Sequence, residues 1–401
     1  MATLAAALTA LWALAHAATA AEEVCYPPLG CFSTAEPWTS PTRPMPAPDS
    51  PDSIRTTFFL YTRDRPATFT ATTVPETSLK GSDFNPKRPT VFIVHGFLEQ
   101  AEKRWMEDMK DALLNRADVN VILTDWARGS FEFLNYLQAA SNTRIVGAQI
   151  ARLIHQLESD LGVRPEDVHI VGFSLGGQVA AYAGKAVRGL GKITALDPAQ
   201  PGFEGYADAV HLTRDDAAFV EVLHTSGRPF VPLGGYGMIA PHGHVDYYIN
   251  NGAYQPGCIL PLTLPKLPQT LEDLVNVPVD VVETVVACDH ERAHEVYTQV
   301  LQSTSCIFWG HPVGVSPKEV GKPCSDSSCV RLSYGSSLSL RAGSYIVPTT
   351  ASAPFCIADA AREAEEAREA RAKLFDLNGS ILAPLLQAVE AVGDALTGFL
   401  G

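Results

Sequence analysis

The run Val168-His169-Ile170-Val171 passes through Gly172-Phe173-Ser174-Leu175-Gly176 into a small, Ala-rich helical stretch, Gly176 to Val187. A buried strand that turns within a few residues into a helix needs glycines where side chains would collide. The turn leaves the side chain at its apex, Ser174, exposed, and the helix N-terminus beside it favours developing negative charge. Ser174 is therefore the candidate nucleophile.

The surrounding chain supplies the sheet that such a turn requires. Val91 to Val94, Val119 to Leu123, Ile193 to Leu196 and Phe219 to Leu223 are short apolar runs of buried-strand type. Between them lie helical patterns. Arg144 to Leu161 places Val146, Ile150, Leu153, Ile154, Leu157 and Leu161 on one face. Short apolar strands alternating with helices predict an α/β fold with a mostly parallel sheet covered on both faces. No linker interrupts the chain from about Ser53 to Cys356, and the proline-rich residues 37–51 read as an extended surface segment.

In such a sheet reactive groups sit beyond the carboxyl ends of the strands. A serine needs a base and an acid that orients the base, in the chain order Ser, acid, His. Ile193 to Leu196 ends in Asp197-Pro198, which puts a carboxylate at a strand tip; Asp208, Asp215 and Asp216 are the alternatives. The downstream histidines are His211, His224, His242, His244, His290, His294 and His311. Spacing alone does not choose among them.

Composition narrows the function classes. Thirty Lys and Arg stand against 44 Asp and Glu, a formal net charge of -14. Nucleic acid is not an expected partner, because phosphate binding needs clustered cations. Contact with neutral lipid is an apolar matter and is not excluded. Hydrophobic residues make up 46% of the 401-residue chain, enough for a large core. Met1 to Ala20 is an Ala/Leu run ending in small residues and reads as a signal peptide, so a secreted protein is expected. Eight cysteines, Cys25, Cys31, Cys258, Cys288, Cys306, Cys324, Cys329 and Cys356, fit disulfides better than zinc.

The segments VFIVHGF (91–97), VILTDWARGS (121–130), VGFSLGGQVAAYAGK (171–185), ITALDPAQPGF (193–203), VEVLHT (220–225) and VACDHERAHEVY (286–297) resemble the secreted pancreatic lipase family. EEVCYPPLGCFSTAEPW (22–38) resembles that family's mature N-terminus. The resemblance spans about Glu22 to Cys356 and implies an α/β-hydrolase fold with a lid loop. It implies Ser174 as nucleophile, Asp197 as acid and His290 as base, with the backbone N–H groups of Phe97 and Leu175 as the oxyanion hole. The family hydrolyses esters of triacylglycerols, phospholipids or galactolipids at a lipid–water interface, and the reaction requires no cofactor. An sn-1-specific phospholipase is the alternative activity. A non-catalytic yolk-type lipid-binding protein is the alternative class, against which the intact triad argues.

The resemblance carries further expectations. It pairs Cys258 with Cys288 around a long apolar lid, residues 259–287, of the length that accompanies triacylglycerol hydrolysis in the family. It pairs Cys25 with Cys31 and Cys324 with Cys329, which leaves Cys306 for Cys356. Pro229 to Gly243 would be a second substrate-side loop. A structural calcium site would match Asp208, His211, Thr213 and Asp216, with Thr213 where the family expects a carboxylate. Vertebrate relatives carry a C-terminal β-sandwich that binds colipase. The 45 residues after Cys356 are too few for it, so colipase is not expected. The tail reads as two helices, Ala358 to Phe375 and an amphipathic Ile381 to Leu400. Asn378-Gly379-Ser380 between them is the one N-glycosylation sequon.

Overall fold

A computed structural model describes residues 23–73, 79–131, 136–258, 279–303, 306–314, 329–337 and 340–357. The expected signal peptide, the greater part of the lid, Cys324 and the C-terminal tail with Asn378 lie outside the described residues.

The strands, in chain order, are β1 (Glu23–Tyr26), β2 (Gly30–Ser33), β3 (Thr57–Thr62), β4 (Arg65–Thr73), β5 (Thr90–Val94), β6 (Asn120–Asp125), β7 (Val168–Phe173), β8 (Lys192–Leu196), β9 (Phe219–His224), β10 (Val245–Ile249), β11 (Phe308–Pro312), β12 (Val330–Leu332) and β13 (Gly343–Val347). The main helices are α1 (Arg104–Arg116), α2 (Tyr136–Leu161), α3 (Leu175–Ala186) and α4 (Val279–Gln302).

Eleven strands form one sheet in the order β12-β11-β13-β10-β9-β8-β7-β5-β6-β3-β4. From β6 to β13 every neighbouring pair is parallel. Antiparallel pairs, β3 with β4 and β6, β11 with β12 and β13, finish the two edges. The parallel centre reads as continuous apolar runs because both faces are covered: β5, β7 and β9 are buried at every position. One face packs α2 and α3 around Phe92, Ile150, Ile154 and Val179; the other packs α1 and α4 around Ile93, Met106, Leu113 and Tyr297. With its strand-to-helix turn after β7, this is the α/β-hydrolase fold.

Several boundaries differ from expectation. Helix α2 begins at Tyr136, eight positions before the apolar stripe that announces it at Arg144. Its first turns bury Gln138, Ser141 and Asn142, polar residues that bond the incoming chain: Gln138 Nε2 to Ala47 O at 3.0 Å and Ser141 Oγ to Pro46 O at 2.5 Å. The proline-rich segment is extended and partly exposed, as expected, but it is also anchored to the body of the protein. Met45 and Arg43 are buried within it, and Arg43 Nε bonds Gly202 O. Prolines lack N–H but keep carbonyl acceptors, and the polar start of α2 uses them. Helix α4 starts at Val279, so the last part of the expected lid, 279–287, is the opening of the helix that carries His290.

Disulfides join Cys25–Cys31, Cys258–Cys288 and Cys306–Cys356. Cys329 is also disulfide-bonded. Among the described residues no helix is long and apolar enough to cross a membrane.

Candidate active site

Ser174 sits between β7 and α3 with φ 55° and ψ −120°, a conformation that L-residues avoid. The glycines make it possible. A side chain at Gly172 would collide with the Gly176 carbonyl, and one at Gly176 with the Val94 carbonyl. The turn is pinned from both sides, by Ser174 N to Leu196 O at 3.0 Å and Ala199 N to Ser174 O at 3.1 Å.

One strand over, Asp197 leaves β8 at φ 44° and is fully buried. Its Oδ1 accepts the backbone N–H groups of Thr225 (2.8 Å) and Ser226 (3.1 Å). Its Oδ2 accepts Ser226 Oγ–H at 2.5 Å and His290 Nδ1–H at 2.6 Å. Burial alone would raise this carboxyl's pKa. The bonds from His290, Ser226 and Thr225 outweigh burial and hold it below the ordinary carboxylate value.

His290 arrives from α4, which is fastened just before it by Cys258–Cys288 and by Gln255 N to Asp289 Oδ1 at 2.7 Å. Its ring lies 4.7 Å, centroid to centroid, from Phe173, the residue before Ser174, and 5.4 Å from Tyr236. No hydrogen bond joins Ser174 Oγ to the imidazole among the described residues; such contacts are commonly loose until substrate arrives.

The other histidines are engaged elsewhere. His224 pairs with Asp246 at 3.0 Å and donates to Met238 O; burial would lower its pKa, and Asp246 raises it above the ordinary value. His244 Nδ1 accepts Val220 N. His211 has Leu212 O and Tyr206 O against its two ring nitrogens, and His311 meets the sulfur of Cys329. His242 lies 3.8 Å from Glu204. His294 stacks on Trp105 and is pushed down to about 3 by burial, then by His290 and Lys103.

The loop after β5 closes the third side. Gly96 is so near the turn that a side chain on it would lie 2.9 Å from Ser174 Cβ. His95 Nδ1–H donates to Gly96 O and its Nε2 accepts Trp126 N. Glu99 accepts Gly96 N and Trp105 Nε1, both at 2.8 Å. The Phe97 N–H finds no acceptor among the described residues, and Leu175, first in its helix, has no intrahelical one. These are the N–H groups of the residue after Ser174 and of the residue after Gly96.

Sequence reasoning did not single out Ser226, Arg228, Gln255, Asp289 or Glu99. Arg228 lies 3.0 Å from Asp289 and also bonds Leu233 O and Ala253 O, tying the 229–237 loop to the middle of α4 beside His290. Burial pushes Asp289 up to about 6, against the opposing Arg228. No motif marks these residues: Glu99 bonds locally to Gly96 and Trp105, and the other four act through bonds to residues distant in sequence.

The carboxylate expected to hold calcium is engaged by protein groups in this structure. Asp216 is buried, and its Oδ1 is taken by Lys185 Nζ at 2.5 Å and Thr213 Oγ at 3.1 Å. Its Oδ2 accepts Thr213 N at 2.8 Å, completing a capping box. The ammonium of Lys185, on α3, stands on the one buried carboxylate that a hard cation would need. The Asp208 side chain is exposed, and Thr213 supplies no charge.

The family model described as Lipase matches residues 22–355. The chain belongs to the lipase family. It is 38% identical to pancreatic lipase-related protein 2 of Myocastor coypus over 322 residues, covering 78% of this chain and 66% of that protein. It is 37% identical to human pancreatic triacylglycerol lipase, covering 81% and 70%. It is equally, at 37%, identical to the inactive pancreatic lipase-related protein 1 of Mus musculus, covering 78% and 66%. The chain thus spans about two thirds of the length of these lipase relatives. Solved structures that match in part include Est1E from Butyrivibrio proteoclasticus (18% identity, 37% of this chain, 48% of that one, TM-score 0.24). Another is the metagenomic α/β hydrolase MGS-M1 (17% identity, 45% and 74%, TM-score 0.27).

Proposed function

We propose that this lipase-family chain is a carboxylic ester hydrolase of the triacylglycerol lipase type, with Ser174 as nucleophile, His290 as general base and Asp197 as its acid partner. The single observation that carries the reading is the 2.6 Å bond from His290 Nδ1 to the buried Asp197, with the ring held against Phe173, the last residue of β7 and the one before Ser174. Identity to a relative named inactive equals identity to human pancreatic triacylglycerol lipase, so overall similarity does not decide activity, and the reading is supported by the geometry of the site instead.

The chemistry follows from the positions. Ser174 Oγ attacks the ester carbonyl carbon as its proton passes to His290 Nε2. Asp197 keeps the tautomer with Nδ1 protonated and stabilises the imidazolium. The tetrahedral oxyanion accepts hydrogen bonds from Phe97 and Leu175 N–H, each worth about 3 kcal/mol in the transition state. The oxyanion collapses, the C–O bond to the alcohol breaks, and His290 returns its proton to the leaving oxygen. Water, deprotonated by His290, then cleaves the acyl-enzyme. No cofactor enters any step.

A secreted enzyme acting at a lipid surface is the setting that three disulfides support, since such bonds persist in oxidising compartments. Its substrate would be triacylglycerol. Ser174→Ala should lower turnover of a short chromogenic ester at least ~10⁴-fold with the fold intact. A variant retaining a tenth of the wild-type rate would end the assignment. Parallel rates on emulsified triolein and phosphatidylcholine decide between lipase and sn-1 phospholipase.

A further inference from the structure

Asp197 Oδ1 is immobilised by two backbone N–H groups, so the chemistry falls on Oδ2, which takes two side-chain donors. His290 Nδ1–H is one, at 2.6 Å, and Ser226 Oγ–H is the other, at 2.5 Å. The two donors flank the same oxygen, with Ser226 Oγ 3.4 Å from His290 Nδ1. Ser226 is fully buried, and its oxygen also accepts Gly237 N at 3.0 Å. With Gly237 on its acceptor side, the hydroxyl's single proton is directed at Asp197. Gly237 is itself required to be glycine, because a side chain there would run into the Asp197 carboxylate.

We propose that Ser226 is a positioning residue of the hydrolytic site: its hydroxyl fixes the Asp197 carboxylate, divides Oδ2 with His290, and fastens both to the substrate-side loop through Gly237. The inference rests on the triad reading given above. Two consequences follow. The carboxylate cannot rotate away from the imidazole without breaking the Ser226 bonds. A carboxylate oxygen shared between two donors also stabilises a cation on either one less than an oxygen given to it alone. Ser226 therefore trades some imidazolium stabilisation for a fixed geometry.

The test is the pH profile of kcat/KM on a soluble p-nitrophenyl ester with the full chain. The groups around His290 stay constant in the comparison. They are Asp197 from β8; Asp289, Glu291 and His294 on its own helix; Lys103 ahead of α1; and Glu99 and Arg228 behind Glu291 and Asp289. Tyr236 completes the set. In Ser226→Ala the undivided Oδ2 holds the imidazolium more tightly. The acid limb should move up by roughly half a pH unit or more, and the plateau should fall about 10-fold, in kcat rather than KM. An acid limb that stays in place or moves down overturns the proposal, whatever happens to the melting temperature. Should Ser226→Ala not fold, Ser226→Cys, a weaker donor of similar shape, should shift the limb in the same direction by less, and an unmoved limb there is equally decisive. Ser174→Ala separates the two layers. If it stays active, the triad reading fails; if it is dead while Ser226→Ala keeps the wild-type profile, only the role of Ser226 fails.

Discussion

The serine and the histidine sides of this site are built by different means. On the serine side, position is encoded in backbone. A Cβ at Gly172 would meet the Gly176 carbonyl within the turn and one at Gly176 the Val94 carbonyl of β5, and the strained φ of Ser174 follows from the turn itself. On the histidine side, position is encoded in side chains drawn from distant segments. Asp289 is held by Arg228 and Gln255, the disulfide fastens Cys288 to Cys258, and Ser226 braces Asp197. The first design tolerates almost no change at a few positions. The second spreads the same task over many bonds, each of which can be lost singly.

That difference predicts the largest effect. In Gly176→Ala the added methyl meets the backbone carbonyl of Val94, and neither strand nor helix can yield without moving the core. The expected loss is at least ~5 kcal/mol, seen as failure to recover folded protein. A folded, active Gly176→Ala enzyme would break the comparison at its first term.

The next effect belongs to the histidine side. Arg228→Ala removes the partner of a buried carboxylate, and the cost of leaving such a charge unpaired is about 3–5 kcal/mol. Denaturant melts should show it, with a folded baseline retained. Asp289→Asn on the same background removes the stranded charge and should recover part of the loss. If the double variant is as unstable as the single, the ion pair is not what holds the loop.

What was legible in the sequence follows the same division. The turn at Ser174 is readable because glycine spacing between a strand and a helix is a local pattern. Asp197 is readable as the residue at a strand tip. His290 is not chosen by spacing: it lies on a helix more than a hundred residues on, and only the resemblance to known lipases selects it. Ser226 and Arg228 leave no trace, because a serine or arginine in a loop looks alike whether it braces a carboxylate or faces water. The contacts of the proline-rich segment and of the expected calcium loop share one feature. In each, a partner comes from a helix, the polar opening of α2 or Lys185 on α3, which inspection of the loop alone does not reveal.

The smallest effect at neutral pH, and the most specific, concerns His294, one turn beyond His290. Its ring stacks on Trp105 at 4.7 Å and meets Phe173 edge-to-face at 4.9 Å, and its buried Nδ1 has no hydrogen-bond partner among the described residues. Its pKa is pushed down from the ordinary 6.5 to about 3, by burial first and then by His290 and Lys103. Between those values the unfolded chain binds a proton at this residue and the folded chain does not, so stability falls as pH falls through that window. At pH 5 the loss from this one group is about 2 kcal/mol relative to pH 7. His294→Phe keeps an aromatic ring in the stack and has no proton to gain. The variant should match or slightly exceed wild-type stability at pH 7, since it also removes an unpaired buried nitrogen. It should then lose about 2 kcal/mol less than wild type on going to pH 5, read from urea melts at the two pH values. Equal losses in both proteins would mean that His294 takes up its proton in the folded state, and that the wall behind His290 is open to water rather than packed.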